Sequence, residues 1–332
     1  MSRIRTVVVL ALAGSLTIAA APSARADEGG VSFWLPGLFG SFAATPVTPG
    51  WEWTWIYYHT SVSAGAGTSF PSGGQIRAGI DARADLLVFG PTYVFAQPVF
   101  GAQAAVSVFG IFGRSVGSVE ATFLTPGGIA ISGQRTDSVT GFGDIIPQAT
   151  LKWHKDVHNF LWYLTGDVPV GNYNPSRFAN LGIGHGAIDS GFGYTYLDAK
   201  KGHEFSITTG FTYNFENPDT NYRNGLDWHV DWGASQFLNK QTFVGLVGYL
   251  YNQLGSDSGS GATLGPFHSR VAGIGPQVGH IFPINKDWQG TFLLKGYWEF
   301  AGQHRAEGWN VWAVLNIAPA APEEKAKPKI TK

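Results

Sequence analysis

Long stretches of this chain alternate apolar and polar residues with a period of two. Between positions 75 and 88, Ile76, Ala78, Ile80, Ala82, Ala84 and Leu86 alternate with Arg77, Gly79, Asp81, Arg83 and Asp85. Trp53, Trp55 and Tyr57 alternate with Glu52 and Thr54, and Phe205, Ile207, Phe211 and Tyr213 with Glu204, Ser206, Thr208 and Thr212. Leu226, Trp228, Val230 and Trp232 alternate with Asp227, His229 and Asp231. A side-chain period of two means a strand with one apolar and one polar face. Twelve such segments are expected, at about 51–63, 76–93, 100–116, 143–154, 158–169, 186–198, 203–214, 225–238, 242–253, 269–281, 288–300 and 305–317.

One such strand fits a soluble sandwich, apolar face inward, as well as a transmembrane barrel, apolar face outward. Three features together favour the barrel. Trp, Tyr and Phe cluster at strand ends, as in interfacial girdles. The strands follow one another without helical segments. The connections alternate in length: short ones fall at Gln97-Pro98, Lys155-Asp156, Lys200-Lys201, Asn239-Lys240 and Asn285-Lys286, and longer ones at 64–75, 120–142, 170–185, 215–224 and 254–268. The expected fold is all-β, a transmembrane antiparallel up-and-down β-barrel over 51–317, with short periplasmic turns and long extracellular loops. Pro147 and Pro276 fall inside strands and are expected to mark a bulge or a strand start, because a closed barrel has no edge to hold them.

The first 26 residues carry Arg3 and Arg5, an apolar run over 7–21, and then Ala24-Arg25-Ala26. This is the pattern of a secretory signal peptide cleaved after Ala26. No later stretch holds 18 apolar residues, so export leads to the outer membrane only if the chain crosses as a barrel. The segment 27–50 includes VSFWLPGLFGSFAA at 31–44, too short to span, and is expected to form a short helix in or under the barrel, a plug of the lumen or its periplasmic side. The tail 318–332, rich in Pro, Ala and Lys, is expected to be disordered.

Composition narrows the chemistry. Cysteine is absent, which excludes disulfides, thiol nucleophiles and Cys-based zinc sites, and a formal charge of −1 excludes electrostatic recognition of nucleic acid. His154 and His158 flank a turn, His268 and Ser269 are strand neighbours that face apart, and Gly182-Ile183-Gly184-His185-Gly186 lacks the helix that a dinucleotide site needs. No GxSxG elbow occurs. No catalytic site, metal or cofactor is expected. If the apolar faces meet lipid, then Arg77, Asp81, Arg83, Asp85 and Lys152 line the lumen. The same holds for Glu204, Asp227, His229, Asp231, Lys295 and Glu299, and opposite charges could pair across a hydrated interior. The loop aromatics Phe70, Tyr173, Phe178, Tyr222 and Phe267 either admit substrate or pack the loops together.

Several motifs resemble a known family: LPGLFGSF at 35–42, GFGDIIPQATLKW at 141–153, VPVGNYNPSRFANLG at 168–182, GHEFSITTGFTYNFENPDTNYRNG at 202–225, VGLVGYLYNQLGSDSG at 244–259 and IGPQVGHIF at 274–282. In order and spacing they resemble the outer-membrane transporters associated with phenol meta-pathway degradation, of MetA-pathway or SphA-like type, over nearly the whole mature chain. The resemblance implies a barrel for uptake of aromatic or other hydrophobic compounds, with the lipid bilayer and a small solute as its partners. The Lys-rich end departs from the usual aromatic C-terminus and leaves the assembly signal to an internal strand, 309–317. A general diffusion porin is the nearest alternative, and an outer-membrane hydrolase or acyltransferase and a secreted sandwich are the others.

Overall fold

The protein was analysed as a computed structural model, which describes residues 32–69, 75–263 and 267–320. The segment 1–26, residue Phe70 and the tail from 321 lie outside the described residues. Twelve antiparallel strands close into a barrel in sequence order: β1 (Gly50–Ser69), β2 (Gln75–Val94), β3 (Gln103–Leu124), β4 (Ala130–Lys155), β5 (His158–Asp167), β6 (Ala187–Asp198), β7 (His203–Asn214), β8 (Asp227–Phe237), β9 (Thr242–Gln253), β10 (Arg270–Pro283), β11 (Trp288–Gln303) and β12 (Glu307–Pro319). Closure is made by β1 on β12, with Trp53 opposite Ile317 on one side and Pro91 on the other. A closed sheet leaves no edge of unpaired backbone groups, which is what hydrocarbon surroundings demand.

Large apolar residues face outward and stay exposed along the strands, among them Trp53, Leu87, Val108, Phe160, Phe211 and Leu246. Exposed aromatics crowd both rims: Trp51 and Tyr93 near the short turns, Tyr213, Trp298 and Trp309 near the long loops. A soluble sandwich would bury these rings, so the outer surface is built for lipid.

The first four strands are longer than the sequence suggested. They run 20, 20, 22 and 26 residues, whereas β5 to β9 run 10 to 12. Most of 64–75 and 120–142, expected as loops, is paired strand, with Ser69 opposite Gln75 and Leu124 opposite Ala130. Gly, Ser and Thr in these stretches read as loop, but here they continue the strand ladders. At about 3.3 Å per residue, β1–β4 therefore rise well above the rest of the rim as a raised wall.

Neither internal proline marks a bulge. Pro276 pairs with Leu246 of β9, while its ladder to β11 skips from Ile274 to Gln277 without a change of register. Pro147 pairs with Val108, and the β4–β5 ladder likewise breaks between Gln148↔Thr165 and the isolated bridge Ile145↔Val168. A strand has two hydrogen-bonding sides, and each proline turns its missing N–H to the interrupted one. The bulge in β4 lies above Pro147, where the register to β3 shifts between Gly110 and Phe112.

Depth along the outer face is testable. Val230, outward and midway along β8, is expected to lose about 2–4 kcal/mol on Val230→Arg, the cost of a cation near the bilayer midplane. Val116, outward on the raised wall, should lose only about 0–1 kcal/mol on Val116→Arg. Equilibrium unfolding of vesicle-embedded protein compares the two, and equal losses would contradict the placement of the wall above the lipid.

Candidate functional site

The lumen is occupied by the chain's own N-terminal segment. Residues 32–49 form turns, not the expected helix, because Pro36-Gly37 dictates a tight reversal. Leu38 N donates to Leu35 O at 3.0 Å across the pair, and Gly37 has φ +89°, the signature of a turn with Pro second and Gly third. A Cβ at Gly37 would strike the Tyr297 and Tyr249 rings. The turn is gripped from two strands. Asp231 of β8 accepts from the Gly37 and Phe39 N–H groups at 2.9 and 3.1 Å. Lys295 of β11 donates to the carbonyls of Gly37, Leu38 and Phe39. Both side chains are nearly fully buried, at 1% and 2% exposure.

The grip continues down the lumen. Gln277 donates to Ser41 Oγ at 2.7 Å, and Phe42 N donates to Glu204 and Ser206. Ala44 N donates to Thr195 Oγ1 at 3.1 Å, Lys152 donates to Thr45 O at 3.0 Å, and Gln103 bonds both backbone groups of Val47. At Gly233 any Cβ would meet the backbone of Ser41, so the segment lies directly on β8. A stretch without internal ladder bonds thus has its backbone groups met by inward side chains from six strands, and a seventh, β10, holds the Ser41 hydroxyl.

This grip divides the lumen. Towards β9–β12 and β1, Leu35 and Leu38 pack on Tyr58, Val247, Tyr249, Tyr251, Tyr297 and Trp312. Higher up, Trp34 stacks on His229 with ring centroids 3.7 Å apart, and His229 Nε2 lies 3.0 Å from Asp189 Oδ2. Towards β1–β5 the segment leaves a cavity of about 180 Å³. Phe39, Ala43, Val94, Phe109 and Leu161 give it apolar walls, and Glu52, Thr92, Ser107, Gln148, Thr150 and Lys152 give it polar ones.

Above the cavity, the loop 168–186 folds onto the inner face of β3 and β4. The β4 bulge turns Asp144 inward, where its carboxylate accepts from Gly171 N at 2.7 Å and Ile183 N at 2.8 Å. Further up, Arg177 makes a two-point bond to Asp137, which holds its guanidinium pKa above the ordinary value. Phe178 rests against Gly117, with the Arg135 guanidinium 4.8 Å from its ring centroid.

Of the charged residues expected in the lumen, the structure turns Lys152, Glu204, Asp227, His229, Asp231, Lys295 and Glu299 inward. They do not pair with one another across water. His229 lies against Asp189, while Lys152, Glu204, Asp231, Lys295 and Glu299 bind backbone or neutral partners and make no ion pair within 4 Å among the described residues. Glu299 accepts from Tyr249 OH at 2.6 Å, and Asn214 Nδ2 donates to Asp227 at 2.8 Å.

Arg77, Asp81, Arg83 and Asp85 require a correction: they face outward. Asp85 lies opposite His59 and bonds the outward Tyr57 hydroxyl at 2.6 Å, while its neighbour Leu86 packs into the lumen cluster. The alternation of β2 keeps its phase from end to end, but its surroundings change. Beside lipid, Leu87, Phe89 and Tyr93 point out. Above lipid, the same face carries the charges, and Ile80, Ala82 and Ala84 line the inside of the raised wall. The parity of Leu87, Phe89 and Tyr93 with Asp85 was the signal that could have shown this.

The loop aromatics differ among themselves. Tyr173 accepts from Asn217 Nδ2 at 2.8 Å, Tyr222 donates to Asp257 at 2.6 Å, and Phe267 meets the His304 ring edge-on at 5.3 Å. These three tie loop to loop. Phe178 alone of the described set stands inside the raised wall. Ser256 Oγ lies 3.1 Å from His268 Nε2, but the other ring nitrogen meets the Gln253 carbonyl, and no carboxylate orients it among the described residues. Sequence reasoning missed Trp34, Asp144, Asp189 and Thr195, since each acts only through a neighbour brought in by closure.

The profile of a family described as "Putative MetA-pathway of phenol degradation" matches residues 65–315. Among solved structures, the fold is similar to the COG4313 outer membrane channel from Pseudomonas putida F1, with a TM-score of 0.60 at 14% identity, over 84% of this chain and 98% of that one. A FadL homologue from Pseudomonas aeruginosa overlaps more loosely, with a TM-score of 0.33 at 6% identity, over 81% of this chain and 89% of that one. No curated protein matches the sequence.

The grip on the Pro36-Gly37 turn predicts a measurable asymmetry. Lys295→Met removes the donor to the Gly37, Leu38 and Phe39 carbonyls and a buried positive charge whose field reaches Asp231, and is expected to cost about 3–5 kcal/mol. The double change Lys295→Met with Asp231→Leu should recover a large part of that loss. Denaturant midpoints of the refolded barrel measure both, and a double variant as unstable as the sum of the singles would mean that the two side chains act independently.

Proposed function

The chain belongs to the family of the MetA-pathway of phenol degradation, and we propose that it is a passive outer-membrane channel for small hydrophobic or aromatic compounds. The observation that carries this reading is the cavity left between the N-terminal segment and the β1–β5 wall. At about 180 Å³ it is close to the roughly 150 Å³ that suffices for benzene in an apolar protein cavity. Its walls are part apolar and part hydrogen-bonding, the mixture that recognises small apolar ligands. The route begins at the apolar inner face of the raised wall, passes Phe178 and the loop 168–186, and descends beside Phe39 and Leu161 towards the short turns.

In this reading the short turns are periplasmic, the long loops extracellular and the leader 1–26 is cleaved on export. The segment 27–50 acts as the plug that narrows the lumen. Its width argues against a general porin, since an unobstructed barrel would need no clamp of buried charges around its centre. In this reading transport is downhill, by facilitated diffusion.

Two measurements test the proposal. Deleting the gene should slow uptake of a radiolabelled single-ring solute such as benzyl alcohol by cells with an intact outer membrane, and complementation should restore it. Sucrose, too large for the cavity, should enter proteoliposomes no faster than it enters protein-free vesicles. Unchanged aromatic uptake, or rapid sucrose influx, would contradict the reading.

A further inference from the structure

Two charges face the cavity, one of each sign, on strands three apart in the barrel. Glu52 of β1 and Lys152 of β4 both line it and interact electrostatically with each other. Glu52 is 7% exposed, and its Oε1 is buried without a hydrogen-bond partner. Lys152 holds the N-terminal segment through Thr45 O. They form no salt bridge within 4 Å among the described residues, so both charges stay on the cavity wall without a direct ion pair between them. The other polar groups on the cavity wall, such as Thr92, Ser107 and Gln148, are neutral.

We propose that Glu52 and Lys152 form a charge filter that admits neutral solutes and turns back ions of either sign. The inference rests on the passage proposed above. An ion entering must shed water, and in a narrow site only a fixed opposite charge can compensate for that loss. Here each sign meets its opposite and its like on the wall of the same cavity. Attraction to one partner is cancelled by repulsion from the other, and the desolvation cost stands. A neutral ring sheds little hydration and is indifferent to the balance. Its hydroxyl or amino substituent, where present, finds a carboxylate acceptor in Glu52.

The filter makes a sign-specific prediction for the full-length protein in planar bilayers under a potassium chloride gradient. Wild-type protein should pass little current, with a reversal potential near zero. Glu52→Gln leaves Lys152 alone and should raise the chloride share of the current at least fivefold, moving the reversal potential towards chloride. Lys152→Met should move it towards potassium by a similar ratio. The double variant should return it to the wild-type value, a result that a purely structural role for either residue would not produce.

Reversal potentials of the single variants that match wild type would overturn the proposal. So would a wild-type channel strongly selective for one sign, a result that needs no variant to fold. Unboiled gel mobility confirms that each variant is folded. Normal aromatic uptake with unshifted potentials sinks only the filter, whereas uptake that does not depend on the gene sinks the passage itself.

Discussion

The architecture depends on the way Asp231 and Lys295 hold the Leu35–Phe39 turn. A twelve-stranded barrel is wider than the eight-stranded size that wall side chains alone can fill. The carboxylate takes the turn's N–H groups and the ammonium takes its carbonyls, so one charge of each sign meets both polarities of the backbone. Burying two charges is costly, and it is tolerated here because each is saturated with directed bonds and sits near the other. With that turn fixed, Leu35 and Leu38 pack on one side of the lumen, and Phe39 is left as part of the wall of the open side.

From this follows the asymmetry between the two halves. Aromatic side chains of β9, β11, β12 and β1 fill the space opposite the open side, where Trp312 packs at a tilt against Tyr58 with ring centroids 4.4 Å apart. The β1–β4 wall offers mainly Thr, Ser, Gln and Ala to this space in place of large rings, so a cavity stays open beside the points where Lys152 and Gln103 bond the segment at Thr45 and Val47. The raised wall stands over the same side. A bulge, an inward aspartate and a tethered loop narrow the mouth there, which places the apolar wall, the constriction and the cavity in one line.

Much of this architecture was legible in the sequence. Period-two patterning and the alternation of short and long connections gave the strand number and the closed topology, because register and hydrophobic phase are locked together. Strand length was less legible. Residues 64–69 and 130–142 are rich in Gly, Ser and Thr, and only pairing with a neighbour tells a polar strand from a loop. The faces of β2 were misread because alternation gives phase without sign: Asp85 and Leu87 share a face, yet one stands above the lipid and the other within it. The inward turn of residues such as Glu204 and Asp231 followed from phase alone, but their partners did not. Those partners lie more than 150 residues away in a segment with no periodicity, and Pro36-Gly37 was its only local instruction.

The central claim is that solute moves between the N-terminal segment and the β1–β5 wall. The chain has no cysteine, so a single introduced thiol can report on that route. Ala105 of β3 lines the cavity, whereas Ala313 of β12 faces outward. Cells carrying Ala105→Cys should lose most aromatic uptake after treatment with a bulky thiol reagent, and cells carrying Ala313→Cys should keep it. Uptake that survives complete modification at Ala105 would contradict the account.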